Sequence, residues 1–323
     1  MSTTSLTVML LTVSSISLRR QMAHNFYVNG PRPDNGSSYD YIIVGGGTAG
    51  CVLAGRLASG LNVSVLLLEA GGPQSVITDM PGNTLYLVGG EFDWNYNVVP
   101  QTNAGLAYPN FFISRGKILG GSSTTNWDIY NRGNPMDYNN WAINYGLTNL
   151  SWPNVLEYFL LFENNTDSTI RSNGLHNNSG PVTISTETAP DPVLINFMRT
   201  MNMAGYPTID INGPTQLGTA IAQMFWNEMA IKSTTANAYI ESANRTNISI
   251  VTRAFVTGIL TSNDNTRVSG VQYLDKKSGN TMVAFANNEV IISAGAINTP
   301  QVTHQILTST YILQIRKVKW SIN

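Results

Sequence analysis

Gly45, Gly47 and Gly50 stand in GxGxxG spacing, and a carboxylate, Glu69, follows nineteen residues after the last of them. The chemistry that these residue types fit is the holding of a phosphate-bearing nucleotide. The first glycine permits a tight turn, the second lets the backbone approach a pyrophosphate, and the third lets the following helix lie close to its strand. Thr48 and Ala49 open that helix, whose free N–H groups and dipole attract phosphate by roughly 0.3–2 kcal/mol. Glu69 is placed to accept both hydroxyls of an adenosine ribose and would repel a 2′-phosphate, which disfavours NADP. The pattern therefore reads as an ADP moiety and leaves FAD and NAD both open. A second run, SRGKILGGSSTTN from Ser114 to Asn126, carries four small residues, Gly120 to Ser123, that allow a backbone to lie flat against a planar ligand. Ser122 and Asn126 offer hydrogen bonds to it; a Gly-Ser turn with a capped helix behind it is the competing reading.

The elements that must position these groups are legible around them. Tyr41 to Val44 is a β-branched-rich run suited to a buried parallel strand, Thr48 to Ser59 a helix ended by Gly60, and Val63 to Leu68 a second strand. Leu53 and Leu57, with the small Ala49 and Ala54, are expected to face the sheet. Pro73 to Tyr108 reads as a long packed excursion with aromatics at Phe92, Trp94 and Tyr96. Asn154 to Glu163 and Pro192 to Ala204 have helical spacing. Ile248 to Val251, Phe255 to Thr261, Val268 to Leu274, Met282 to Phe285 and Val290 to Ser293 read as strands, with a hairpin turn at Asp275 to Asn280.

Composition narrows the class. The chain has 323 residues, a formal net charge of −1 and a single cysteine, Cys51. That length suits two domains; the charge balance offers no basic patch for nucleic acid, and no apolar run is long enough for a transmembrane span. One cysteine excludes an intrachain disulfide and a cysteine metal site, and Cys51 reads as a small packing residue; no metal is expected. Residues 1–38 read as a leader outside the fold, with Arg19, Arg20 and Arg32 and no acid before Asp34. Sequons at Asn35, Asn149, Asn164, Asn177, Asn244 and Asn247 favour a secreted, extracellular protein, with a mitochondrial one as the alternative.

Taken in order, GxGxxG, EAGG, RGKxLGGSSxxN, the YNRGNPMDYNNWA run, Trp152-Pro153, Gly180 to Val182, STTANAYI and SAGAINTPQ closely resemble the glucose-methanol-choline (GMC) family of FAD-dependent oxidoreductases. The wording is nearer the animal and choline-dehydrogenase-like branch, and the resemblance covers about residues 39 to 302; Thr125 departs from the usual aliphatic residue. It implies an α/β fold: a FAD/NAD(P)-binding Rossmann-like domain, made of residues 39–149 and 224–302, with an incomplete α+β substrate domain at 150–223 and a divergent tail at 303–323. It also implies FAD as cofactor. Gly45, Gly47, Thr48, Ala49 and Gly50 would hold the pyrophosphate, and Glu69 and Ala70 the adenosine. Ser122, Asn126 and Trp127 would lie along the flavin, Val256 at the adenine, and Ala294 and Gly295 at a second pyrophosphate contact.

The implied reaction is oxidation of a small alcohol to a carbonyl, with hydride passing to flavin N5 and the proton to a histidine near the family's C-terminus. The match is lost at about Thr303, so this chain is expected to be an N-terminal portion lacking that base. His24, His176 and His304 fall in none of the family's catalytic positions; His176 reads as a solvated loop residue. A non-catalytic FAD-binding variant and a lyase that uses flavin without redox work are the alternatives. Substrate, electron acceptor and oligomeric state are not encoded in these motifs.

Overall fold

The computed structural model describes residues 3–108, 111–171, 174–241, 247–262, 264 and 266–309. In chain order the elements begin with α1 (Thr3–His24), β1 (Ser37–Val44), α2 (Thr48–Gly60) and β2 (Val65–Glu69). Only one-turn helices and a short ribbon follow: α3 (Val76–Asp79), α4 (Thr84–Leu87), β3 (Tyr96–Asn97), β4 (Phe112–Ile113) and α5 (Ser122–Thr125). Then come α6 (Pro135–Tyr145), α7 (Trp152–Phe162), β5 (Glu163–Asn165), β6 (Val182–Thr186), α8 (Pro192–Met203) and β7 (Gln223–Met224). The chain continues through β8 (Ile248–Thr252), β9 (Ala254–Thr261), β10 (Val268–Asp275), β11 (Thr281–Ile292) and α9 (Gly295–Ser309). They form two compact units: Met1–Val76, Tyr86–Thr125 and Thr235–Asn323 in the first, Ile77–Leu85 and Asn126–Thr234 in the second.

In the first unit, a six-stranded sheet runs β8-β2-β1-β11-β10-β9. The first four strands are parallel and the last three make an antiparallel meander. Every residue of β2 is buried, which is why its sequence is a continuous apolar run rather than an alternating one. On one face Ile43, Val65 and Leu67 pack with Cys51, Ala54 and Ala58 of α2. On the other, Ile42, Leu66 and Leu68 meet Ala254, Val256, Val271 and Tyr273 of the meander.

Three expectations change here. α2 buries Gly50, Cys51, Ala54, Gly55 and Ala58, small residues that allow the helix to approach the sheet, while Ala49 is exposed and Leu53 is 37% exposed. β11 is one strand, not two, since β1 pairs along its whole length and keeps the polar Asn287-Asn288-Glu289 stretch extended. Residues 1–38 are not outside the packing: Ala23 and Tyr27 join the α2 cluster, and the basic residues are spent on ion pairs. Arg20 Nη1 is 2.6 Å from Glu241 Oε1, and Arg32 Nη1 is 3.2 Å from Asp275 Oδ1.

The second unit has a three-stranded sheet, β5-β6-β7, with α6, α7 and α8. Its main segment runs from Asn126 to Thr234, where 150–223 was expected, and Ile77–Leu85 joins it. Tyr130 N–H donates to the Gln223 carbonyl, Phe225 N–H to the Asp128 carbonyl, and Thr183 N–H to Ser233 Oγ, which stitches both flanking segments to this sheet. Aromatic edges join Tyr138 to Trp141, Trp152 and Phe159, and Tyr130 to Phe162 and Phe225.

Candidate functional site

The glycine turn after β1 is fixed by its neighbours. Gly45 has φ +102°, and a Cβ there would lie 2.6 Å from the Ser293 carbonyl oxygen. Gly121, at φ +55°, comes so close that its Cβ would be 2.7 Å from Gly47 Cα. Two glycine turns, from the two motifs, are thus pressed together. At Gly47, the N-cap of α2, no side chain caps the helix, so its first amides are left for another partner. Gly50 has the predicted packing role, a Cβ there falling 1.9 Å from the Gly45 carbonyl oxygen.

These turns open on a cavity of about 570 Å³ in the first unit, within the range of small-molecule and cofactor sites. Gly45, Gly47, Thr48, Ala49, Glu69, Ala70, Ser122, Val256, Ala294 and Gly295 all line it. Of the expected residues, Gly50 lies behind the wall, and Asn126 and Trp127 belong to the second unit. Asn126 Oδ1 accepts Asp128 N–H there, and the Trp127 ring is exposed.

Glu69 ends β2 with both oxygens engaged. Oε2 accepts Gly46 N–H at 2.8 Å and Oε1 accepts Gly71 N–H at 2.7 Å. Burial pushes its carboxyl up to about 7, against the lowering effect of those two N–H bonds and of Lys117. A carboxylate has about four lone-pair sites, so two remain for ligand hydroxyls. A phosphate-bearing dinucleotide therefore fits the residues present: uncapped helix amides, a glycine cradle that a side chain on Gly47 would fill, and a carboxylate with spare acceptors.

Trp94, Tyr96, Arg115, Phe255 and Asn298, given no role from the sequence, also line the cavity. The aromatic pair at alternate positions, 94 and 96, was the available signal.

Neither His24 nor His176 lines the cavity. His24 ends α1, and the side chain of His304 lies outside the described residues. His176 is buried rather than solvated: Nδ1 is 2.6 Å from Glu163 Oε1 and Nε2 is 2.8 Å from Asp210 Oδ2. Arg132 also pairs with Glu163. An Asn/Gly-rich loop looked hydrophilic, but here it carries the ring between two carboxylates. Among the described residues no group of three or more His, Cys, Asp or Glu is placed to hold a metal ion, and no helix is long and apolar enough to cross a membrane.

The sequence profile of the GMC oxidoreductases matches residues 39–305. This chain belongs to the GMC oxidoreductase family. It is 37% identical over 271 residues to an oxygen-dependent choline dehydrogenase of Yersinia pestis (strain Pestoides F), an overlap of 82% of this chain and 47% of that protein. The chain thus spans about half the length of the relatives it matches. Among solved structures, a pyridoxine 4-oxidase from Mesorbium loti superposes with a TM-score of 0.73 at 28% identity, covering 81% of this chain and 50% of the other. An FAD-dependent oxidoreductase from Chaetomium thermophilum gives 0.72 at 28% identity, covering 82% and 46%. Of the GMC motifs quoted from the sequence, GxGxxG, EAGG, RGKxLGGSS and SAGAINTPQ build the glycine turns, the end of β2 and the start of α9.

Proposed function

We propose that this GMC chain forms the FAD-binding portion of a flavoprotein that oxidises the CH–OH group of a small alcohol to a carbonyl. The observation that carries the proposal is the convergence, on one cavity, of the uncapped α2 N-terminus, the paired glycine turns and the Glu69 carboxylate. In this reading the backbone of Gly45, Gly47, Thr48, Ala49 and Gly50 receives the pyrophosphate, joined by Ala294 and Gly295 ahead of α9. Glu69 and Ala70 take the adenosine ribose, Val256 the adenine, and Ser122 the flavin side of the cofactor. Bound FAD would supply the hydride acceptor.

The protein's own groups bind and orient; the proton acceptor is a separate matter. Among the described residues, the ionisable side chains on the cavity lining are Glu69, Tyr96 and Arg115. Glu69 accepts two backbone N–H groups and, in this reading, the ribose hydroxyls, and neither of the others is an acceptor for an alcohol proton near neutral pH. This favours a second reading for the chain by itself: it binds FAD without turning over. The relatives named for choline and pyridoxine, both primary alcohols, support a small primary alcohol as substrate class.

The test is the visible absorption spectrum of the purified chain mixed with FAD and freed of excess, recorded anaerobically before and after choline, pyridoxine and simple primary alcohols. A flavin band that persists supports cofactor binding without turnover. Bleaching by an alcohol would place a working base on this chain. Absence of a retained band would overturn the FAD-binding proposal for it.

A further inference from the structure

The chain passes between its two units at four places, after residues 76, 85, 125 and 234. The residues beside these crossings are tied to one another. Within the first unit, Gln74 Nε2 donates to Thr124 Oγ1 at 2.8 Å, and Thr235 N–H donates to Ser123 Oγ at 3.3 Å. Within the second, a single lysine gathers the ends. Lys232 is 1% exposed, and its Nζ donates to Thr84 Oγ1 at 2.8 Å and to the Asn126 carbonyl at 3.0 Å, with Asp128 Oδ2 at 3.2 Å. Its backbone N–H donates to the Asp79 carbonyl, so the 77–85 segment, the 126–128 turn and the end of the 126–234 segment meet at this residue.

The turn it holds is unfavourable in isolation. Asp128 has φ +64°, in the left-handed region that disfavours a side chain, and its Oδ1 is buried without a hydrogen-bond partner. Burial pushes its carboxyl up to about 6, against the pull of Lys232. What keeps the turn in place is the set of bonds around it. Thr84 Oγ–H donates to the Asn126 carbonyl beside Lys232 Nζ, Asp128 N–H to Asn126 Oδ1, and Phe225 N–H to the Asp128 carbonyl. Backbone strain of this kind persists only where the surroundings over-determine it, and it gathers at functional sites.

The turn starts at the residue after α5. With four residues, α5 is too short to be stable by itself, so its place is set from its two ends. At the first end, Ser123 Oγ–H donates to the Gly120 carbonyl and Thr124 Oγ–H to the Leu119 carbonyl, which binds α5 to the glycine turn pressed against Gly47. At the other end, the carbonyl of Asn126 is held by Lys232 and Thr84. Ser122, the first residue of α5, lines the cavity, and Lys232 does not.

We infer that Lys232 is a positioning residue for the flavin side of the site: by gripping the Asn126 carbonyl it fixes the end of α5, and with it the place of Ser122 on the cavity wall. This rests on the FAD reading above. The phosphate and ribose groups are held by the α2 N-terminus and Glu69, which Lys232 does not touch, so its effect falls on one half of the dinucleotide.

The experiment titrates the whole chain with FAD and with ADP by calorimetry. Lys232→Met keeps the bulk of the stem and removes the ammonium; it is expected to weaken FAD about tenfold to a hundredfold and to leave ADP within about twofold of wild type. Thr84→Val removes only the hydroxyl between Lys232 and Asn126, and is expected to show the same split at about threefold to tenfold. This second variant carries the test if Lys232→Met does not fold. Equal weakening of FAD and ADP would give Lys232 a general structural role and overturn the inference, as would unchanged FAD affinity in either folded variant. A wild-type chain that binds FAD no more tightly than ADP would also overturn it, since α5 would then not engage the flavin side. One that binds neither would instead overturn the FAD reading, and the positioning role with it.

Discussion

Glu69 is a carboxyl that gains from being neutral in the empty fold and from being charged when a ribose is present. Burial raises it from an ordinary 4.5 to about 7, so the folded chain binds a proton that the unfolded chain releases above about pH 4.5. Its contribution to stability is therefore largest below that pH and is lost as pH rises through about 7. Ligand hydroxyls donate to the ionised form, so binding should expel the proton. ADP affinity is expected to rise between about pH 5 and 8, with release of up to one proton near pH 6. Calorimetry in two buffers of different ionisation heat reads that proton directly; pH-independent binding would mean that the ribose does not engage Glu69. The residue's position was legible from its spacing after Gly50. Its two backbone N–H partners were not, because they depend on how Gly46 and Gly71 fold around it.

At the scale of elements, the two glycine runs were legible as separate motifs, and their meeting was not. GxGxxG names a strand, a turn and a helix through local geometry. The approach of Gly121 to Gly47 is tertiary, and nothing in either run states it. Gly121→Ala would add a Cβ 2.7 Å from Gly47 Cα at a residue with φ +55°. We expect this substitution to push the second turn off the first, costing about 1–3 kcal/mol in urea unfolding and lowering FAD retention at least about tenfold. Gly60→Ala, where nothing lies within 4 Å of the new Cβ, is the control and should leave both unchanged. The same limit explains Leu53 and β11. Helical spacing marks an apolar face, but close packing against the sheet selected the small residues of α2, and pairing with β1 overrode the polar break in β11.

At the scale of the whole molecule, the two units rest on different physics. The first has two aliphatic and aromatic clusters on the faces of its sheet. In the second, α6 and α7 bury no residue completely, and a polar network of Arg132, Glu163, His176 and Asp210 lies among Tyr130, Asn165, Asn212 and Gln223. With carboxylates at both ring nitrogens, His176 is doubly protonated. Burial alone would lower it, but hydrogen bonds to Asp210 and Glu163 raise it from 6.5 to about 9. The stability it contributes is thus complete below about pH 6.5 and lost as pH rises through about 9. Composition could not reveal this, since an Asn- and Gly-rich loop around a histidine looks solvated until the partners, tens of residues apart, are brought together.

His176→Gln leaves Glu163 and Asp210 without their shared cation, and breaking such a buried pair costs about 3–5 kcal/mol. Because the pairing partners lie in one unit, the loss should be confined there. Hydrogen exchange followed by mass spectrometry at one pH is expected to show protection falling in residues 163–186 and 206–226 of the variant, with β1, β2 and β8 holding theirs. In parallel, the wild-type urea midpoint for the second unit should fall between about pH 7 and 10, and the variant should lose that dependence. An even loss of protection across both units would mean that the chain unfolds as one cooperative body, and that the network in the second unit stabilises the nucleotide sheet as well.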